Sequence, residues 1–256
     1  MKKLLIILIS LLLLTSCSST SSSNNDSSNE EVDINENTTD VSSNDTVDSN
    51  STNTINTEDL ASEYNNISIN NDNNEEYIYI SELLGIKATF NINEYRPLSK
   101  QEIIDKYHYA KDYYDEKHIG KLLYDGYSYY DLLLNSIDNN TIISLSISKP
   151  GLYTYKDILG QYTTKDIEDL IKQYEEKGYK DVKISINTID LFDIEDNKTA
   201  ILYISYIDTN NNQIYQYSIF ITNKEYMGIL NIVFINEDRF DKALKMFEGV
   251  KNIENE

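Results

Sequence analysis

The sequence predicts an α+β domain: a mainly antiparallel sheet of about six to eight strands, covered by helices on both faces as an α/β/α sandwich. Three observations predict it. Four strand-like runs follow one another at residues 182–191, 200–207, 214–221 and 228–235, separated by turns rich in Asn and Asp, and short turns join antiparallel neighbours. In the last three runs both faces are apolar, as with Leu202, Ile204 and Tyr206 against Ile201, Tyr203 and Ile207, so neither face can stand in water. Three stretches with helical spacing remain to cover them.

The elements follow in order. Tyr77-Ile78-Tyr79-Ile80 and the run from Ile86 to Ile92 read as two strands joined around Leu83-Leu84-Gly85. Asn66 to Ile69 has the composition of a short strand, but nothing before Tyr77 is long enough to demand one. Ser99-Lys100-Gln101-Glu102 is a capping box. Behind it Ile103, Tyr107, Ala110 and Tyr114 recur at helical spacing, which predicts a first helix over about 100–117. Residues 129–136 and 141–148 read as a hairpin turning at Asp138-Asn139-Asn140, with Ile143, Leu145 and Ile147 alternating against serines, and Pro150-Gly151 ending it. A second helix has Thr163 or Thr164 as N-cap, Ile167, Leu170, Ile171 and Tyr174 on one face, and Gly178 to close it. After the four-stranded meander, a third helix over about 237–247 carries Phe240, Ala243, Leu244 and Phe247 on one stripe.

Composition divides the chain of 256 residues before any motif does. Its net charge of −21 is unevenly placed: residues 18–74 hold twelve acids and no Lys or Arg, while residues 75–256 hold 31 acids and 20 bases. Low hydrophobicity with charge of one sign predicts disorder, so residues 18–74 read as an acidic Ser/Asn/Thr-rich tether. As a flexible coil it would reach about 40 Å, and self-repulsion extends it. Residues 75–256 read as a single globular domain, long enough to bury about 70% of the surface its unfolded chain exposes. So acidic a chain repels the phosphates of nucleic acid and of anionic lipid headgroups, and a nucleic-acid partner is not expected. Asn, Ile, Lys and Tyr are abundant and share A/T-rich codons, which accounts for part of the 22 tyrosines without any function.

Residues 1–17 decide where the rest works. Lys2 and Lys3 precede an apolar run from Leu4 to Leu14, and Leu14-Thr15-Ser16 brings small residues up to Cys17. The run is about half of the roughly 20 residues that span a bilayer. Leu14-Thr15-Ser16-Cys17 resembles the bacterial lipoprotein signal. The resemblance implies that the sulfur of Cys17 is lipidated, that cleavage leaves it as the new N-terminus, and that the protein is held on the extracytoplasmic face of the cell membrane by acyl chains. Cys17 is the only cysteine, so the exported part has no disulfide and no thiolate metal site.

The order of elements, with Tyr77-x-Tyr79-x-x-x-Leu83-Leu84-Gly85-Ile86-x-x-x-Phe90 and Tyr130-Asp131-Leu132-Leu133, resembles the PsbP/Mog1-like fold and is similar to small lipoproteins of Firmicutes built on it. Where members commonly carry a Pro-x-x-Trp-like element, this chain has Ile92-Asn93-Glu94-Tyr95. The resemblance spans about residues 77–250 and implies a fold whose members mostly bind other macromolecules. It implies no active-site residue.

Motifs of catalysis are missing from the sequence. His108 and His118, the only histidines, fall about 80° apart around a regular helix and nearly three turns apart along it, too far to share a metal. Asp208-Thr209-Asn210-Asn211-Asn212 begins like a calcium loop, but Gln213 stands where Gly is needed and Ile219 where a bidentate Glu is needed; it reads as a hairpin turn. No nucleophile elbow, phosphate loop or dinucleotide fingerprint occurs. No metal or cofactor is expected.

The remaining signal is aromatic. Eight tyrosines lie between Tyr107 and Tyr130, and a tyrosine offers an apolar ring with a polar tip to proteins or sugars. Helical phase sets Tyr107 and Tyr114 on the core stripe and Tyr109 and Tyr113 outward, which makes Tyr109, Tyr113, Tyr127 and Tyr129 a candidate binding surface. The expectation is a non-catalytic lipoprotein that binds an envelope or secreted protein. The alternatives are a cell-wall glycan module using those tyrosines, and a hydrolase with paired carboxylates.

Overall fold

The computed structural model describes residues 63, 66–69, 75–149, 154–190, 198–223 and 225–249, which belong to a unit spanning Thr52–Glu256. Cys17, the leader and most of 18–74 lie outside the described residues, as does Pro150-Gly151. The fold is α+β with two antiparallel sheets. The smaller has the order β1-β2-β3-β11, formed by β1 (Ile67–Ile69), β2 (Glu76–Ser81), β3 (Ile86–Asn91) and β11 (Phe247–Gly249). The larger has seven strands in the order β4-β5-β6-β10-β9-β8-β7. These are β4 (Tyr95–Pro97), β5 (Ser128–Ser136), β6 (Thr141–Ser148), β7 (Lys180–Asp190), β8 (Lys198–Ile207), β9 (Gln213–Asn223) and β10 (Tyr226–Ile235).

Among the described residues from 75 onward there are five helices: α1 (Lys100–Tyr107), α2 (Glu116–Tyr124), α3 (Tyr155–Gln161), α4 (Thr164–Glu176) and α5 (Phe240–Leu244). The capping box at Ser99 forms as the sequence predicts, with Glu102 N donating to Ser99 Oγ at 3.2 Å and Ser99 N to Glu102 at 2.8 Å. Thr163 caps α4 in the same way through Asp166. The β5–β6 hairpin and the β8–β9 turn are also as expected, because each carries an Asx side chain that satisfies its backbone: Asp138 Oδ1 accepts from Asn140 N, and Asp208 Oδ1 from Asn210 N and Asn212 N. Residues 208–212 are therefore a hairpin turn between β8 and β9.

Three expectations change. The first helix stops at His108, which takes a left-handed backbone (φ 55°) and caps α1; the chain restarts as α2 with Asp115 at its N-cap position. One helix over 100–117 becomes two, and His108 and His118 no longer share an axis. The last helix is only five residues long, and Phe247, which continues its apolar stripe, starts β11 against β3 instead. A strand ahead of Tyr77 does form: Ile67 is buried and β1 pairs with β2.

The layers differ as well. One face of the large sheet, with Leu132, Leu134, Ile143, Leu145, Ile147, Leu230, Ile232 and Phe234, packs into a core with Tyr79, Ile86, Ala88, Phe90 and Phe247 of the small sheet. The cover there is largely a second sheet, with helices filling around it. Gly228 of β10 is required by that approach, because a Cβ on it would collide with Leu84. The opposite face lies under α3 and α4, where Tyr174 meets Tyr206 edge-on with ring centroids 5.1 Å apart. The serines of β6 do not face water: Ser144, Ser146 and Ser148 are buried. Asn231, aligned with Ser144 and Ser218, accepts from Ser218 Oγ at 2.6 Å.

Candidate functional site

The tyrosine-rich segment between α1 and β5 is built around the break at His108. Once the helix ends, helical phase no longer decides which ring turns inward, and the chain folds back so that Tyr109 N donates to Ile104 O. Tyr109 then stacks on Tyr113 with ring centroids 4.1 Å apart, and Tyr113 meets Tyr114 edge-on at 4.9 Å. Tyr107 stacks on Tyr130 at 5.3 Å, and Tyr113 Oη accepts from Tyr130 N at 3.3 Å. Stacked and edge-on pairs of this kind add about 1 kcal/mol each beyond their burial.

The four tyrosines chosen from the sequence therefore do not form one surface. Tyr113 and Tyr129 are buried, Tyr109 is half-buried against Tyr113, and Tyr127 is exposed. Burial raises the pKa of the Tyr109, Tyr113, Tyr129 and Tyr130 hydroxyls, which stay neutral. Tyr124, which helical spacing did not single out, is the most exposed large apolar side chain described, at 89%, with Tyr127 at 60%. Its signal in the sequence is position: it is the last residue of α2, followed by Asp125-Gly126, where Gly126 takes a φ of 77° and turns the chain towards β5.

Beside this corner runs a groove of about 440 Å³ lined by Gly120, Leu123, Tyr124, Lys149 and Tyr226. Lys149 Nζ lies 5.4 Å from the centre of the Tyr226 ring and 2.8 Å from Glu225. The groove thus offers ring faces and one cation, which Glu225 pairs.

Sequence reasoning missed a buried carboxylate. Asp131 sits at a bulge of β5, where the pairing with β6 slips between Tyr130 and Leu132, and it is 3% exposed. Tyr79 Oη donates to its Oδ2 and Asn66 Nδ2 to its Oδ1 at 3.3 Å. The Tyr129 hydroxyl also stabilises the ionised form through a hydrogen bond, while the buried Ser81 hydroxyl adds attraction without closing one. Burial outweighs these donors and raises the Asp131 pKa. The one clue in the sequence was an acid inside an apolar strand, Tyr130-Asp131-Leu132-Leu133.

A second groove, of about 810 Å³, opens beside α5 and is lined by Tyr217, Phe240, Arg239 and Lys242 together with Glu237, Asp238 and Asp241. Most of its charges are paired: Arg239 with Glu237 and Asp138, Lys242 with Glu94, and Asp238 with the Tyr217 hydroxyl. Among the described residues no group of three or more His, Cys, Asp or Glu is placed to hold a metal, and no helix is long and apolar enough to cross a membrane.

No family model matches the chain, and no curated protein matches it. Among solved structures it is similar to the solution structure of cyanobacterial PsbP (CyanoP) from Synechocystis sp. PCC 6803, at 12% identity and a TM-score of 0.40, over 68% of this chain and 92% of that one. Nothing about activity or partner follows from a likeness of that size.

Proposed function

We propose that this protein is a lipoprotein of the Firmicutes type, anchored through Cys17 on the extracytoplasmic face of the cell membrane, and that its folded part binds an envelope or secreted protein without catalysing a reaction. The observation that carries the binding reading is the exposed ring of Tyr124 on the groove of Leu123, Lys149 and Tyr226, with Tyr127, also exposed, shortly after it in the chain. Tyrosine is enriched at the centres of protein interfaces because a large ring with two torsions loses little freedom on binding. The anchor reading rests on Leu14-Thr15-Ser16-Cys17 behind an apolar run.

Crosslinking on intact cells tests the reading. The full chain should capture one discrete envelope or secreted protein, and the Tyr124→Ala/Tyr127→Ala chain should lose it. Capture that is unchanged in the double variant would sink the site, and no capture by the wild-type chain would sink the partner. The glycan reading is favoured by the ring faces beside Lys149; it predicts co-sedimentation with purified sacculi that survives added salt and is lost in the same variant.

A further inference from the structure

The two sheets end in four free edges among the described residues, and three of them are blunted. β1 and β11 are three residues long, and β11 carries the exposed Glu248. β4 is three residues long, with Arg96 exposed and Pro97 lacking the N–H a neighbour would need. β7 is different. It runs for eleven residues at the end of the large sheet, paired only with β8, and contains no proline.

Within β7 the defences sit at the ends. Lys180, Asp181 and Lys183 are exposed at its start, where a register slip marks a bulge, and Asp190 is exposed at its end. Between them Ile184-Ser185-Ile186-Asn187-Thr188-Ile189 is six residues without a charge, rich in β-branched side chains. In an antiparallel pair alternate residues turn their N–H and C=O away from the partner, so this stretch presents a row of backbone groups that nothing described satisfies. Such an edge is a template for another strand.

We infer that β7 is a self-association edge, which pairs antiparallel with β7 of a second copy of this chain to make one continuous sheet across the two. The occupant is argued from the charge order. A two-fold axis normal to the sheet lays the start of one β7 beside the end of the other, so Lys180 and Lys183 of each copy approach Asp190 of its mate. The start carries two lysines against the one carboxylate of Asp181 and so stays net positive, while Asp190 makes the end negative. A parallel pairing would set like ends together and be repelled. The contact is separate from the Tyr124 groove, so either can stand without the other.

Sedimentation equilibrium of the full chain in density-matched detergent tests it, with circular dichroism confirming that each variant is folded. The wild-type chain should show a reversible monomer–dimer equilibrium. Lys180→Asp/Lys183→Asp should weaken the dimer about tenfold, and adding Asp190→Lys to that chain should recover most of the loss. A Ser185→Cys chain should form an intermolecular disulfide on mild oxidation, while Tyr124→Cys and the wild-type chain should not. A chain that stays monomeric at every concentration overturns the inference, and so does a dimer indifferent to the charge reversal and its rescue.

Discussion

Two groups of tyrosine, close in the chain, do opposite things. Tyr113 and Tyr129 are buried to within a few per cent and hold the join between α1, α2 and β5, whereas Tyr124 and Tyr127 stand in solvent at the end of α2. Tyr113 stacks on Tyr109 and accepts a backbone hydrogen bond, and Tyr129 hydrogen-bonds the buried Asp131, whereas Tyr124 lines a groove and Tyr127 lies open to solvent. The difference teaches that an abundance of one residue type is not a site. Where the rings end up relative to water separates the packing tyrosines from those free to bind.

The largest effect that would sharpen this comparison belongs to the core group. Tyr113→Ala should lower stability by about 3 kcal/mol or more, as for other buried aromatic truncations, read as a fall in the urea midpoint. A loss below about 1 kcal/mol would mean that the stack on Tyr109 carries no weight.

Asp131 comes next and has a definite sign in pH. Its pKa is higher in the folded chain than the ordinary value of about 3.9, so the folded state holds the proton more tightly. The stability this contributes is complete below the unfolded pKa and is lost as pH rises through the folded one. Replacing it by Asn removes the titration, so Asp131→Asn should cost most at acid pH and progressively less towards neutrality. Urea melts of both chains across that range check it; a cost that grows with pH would contradict the burial argument.

Ser99→Ala should cost about 1 kcal/mol through loss of the α1 cap, seen as a small shift of the same midpoint. Smallest of all, Tyr124→Ala and Tyr127→Ala should change stability by no more than about 0.5 kcal/mol while abolishing partner capture. A large loss of stability in either would place that ring with the packing group and break the comparison.

Local chemistry explains which parts of the fold could be read in advance. The β5–β6 hairpin and the meander were legible because Asp138 and Asp208 mark turns by a mechanism that acts within a few residues. The caps at Ser99 and Thr163 were legible for the same reason. The end of α1 was not, since Ala110 and Tyr114 continue the apolar period past His108 and only the left-handed backbone at His108 stops the helix. Nor was the second sheet, because alternation tells which residues share a face and not which strands share a sheet. α3 carried the same kind of signal as the other caps, Thr154 with Asp157, seven residues ahead of its helix's end.

The candidate site was half-legible on the same grounds. Tyr127 follows a turning glycine and is exposed, as a residue after a helix end tends to be. Tyr113 was set outward by a helical phase that the broken helix does not keep, and Tyr129 is placed by strand pairing, opposite Ile147. Asp131 needs both the bulge in β5 and Tyr79 from the other sheet before it means anything.

The central claim is that the exposed tyrosine corner meets a protein partner, and site-specific photocrosslinking on intact cells tests it most directly. A photoreactive residue replacing Tyr124 in the full chain should yield one covalent adduct of defined mass, and the same residue replacing Ile137, an exposed apolar side chain near the β5–β6 turn, should not. Equal adducts from both positions, or none from Tyr124, would contradict the account.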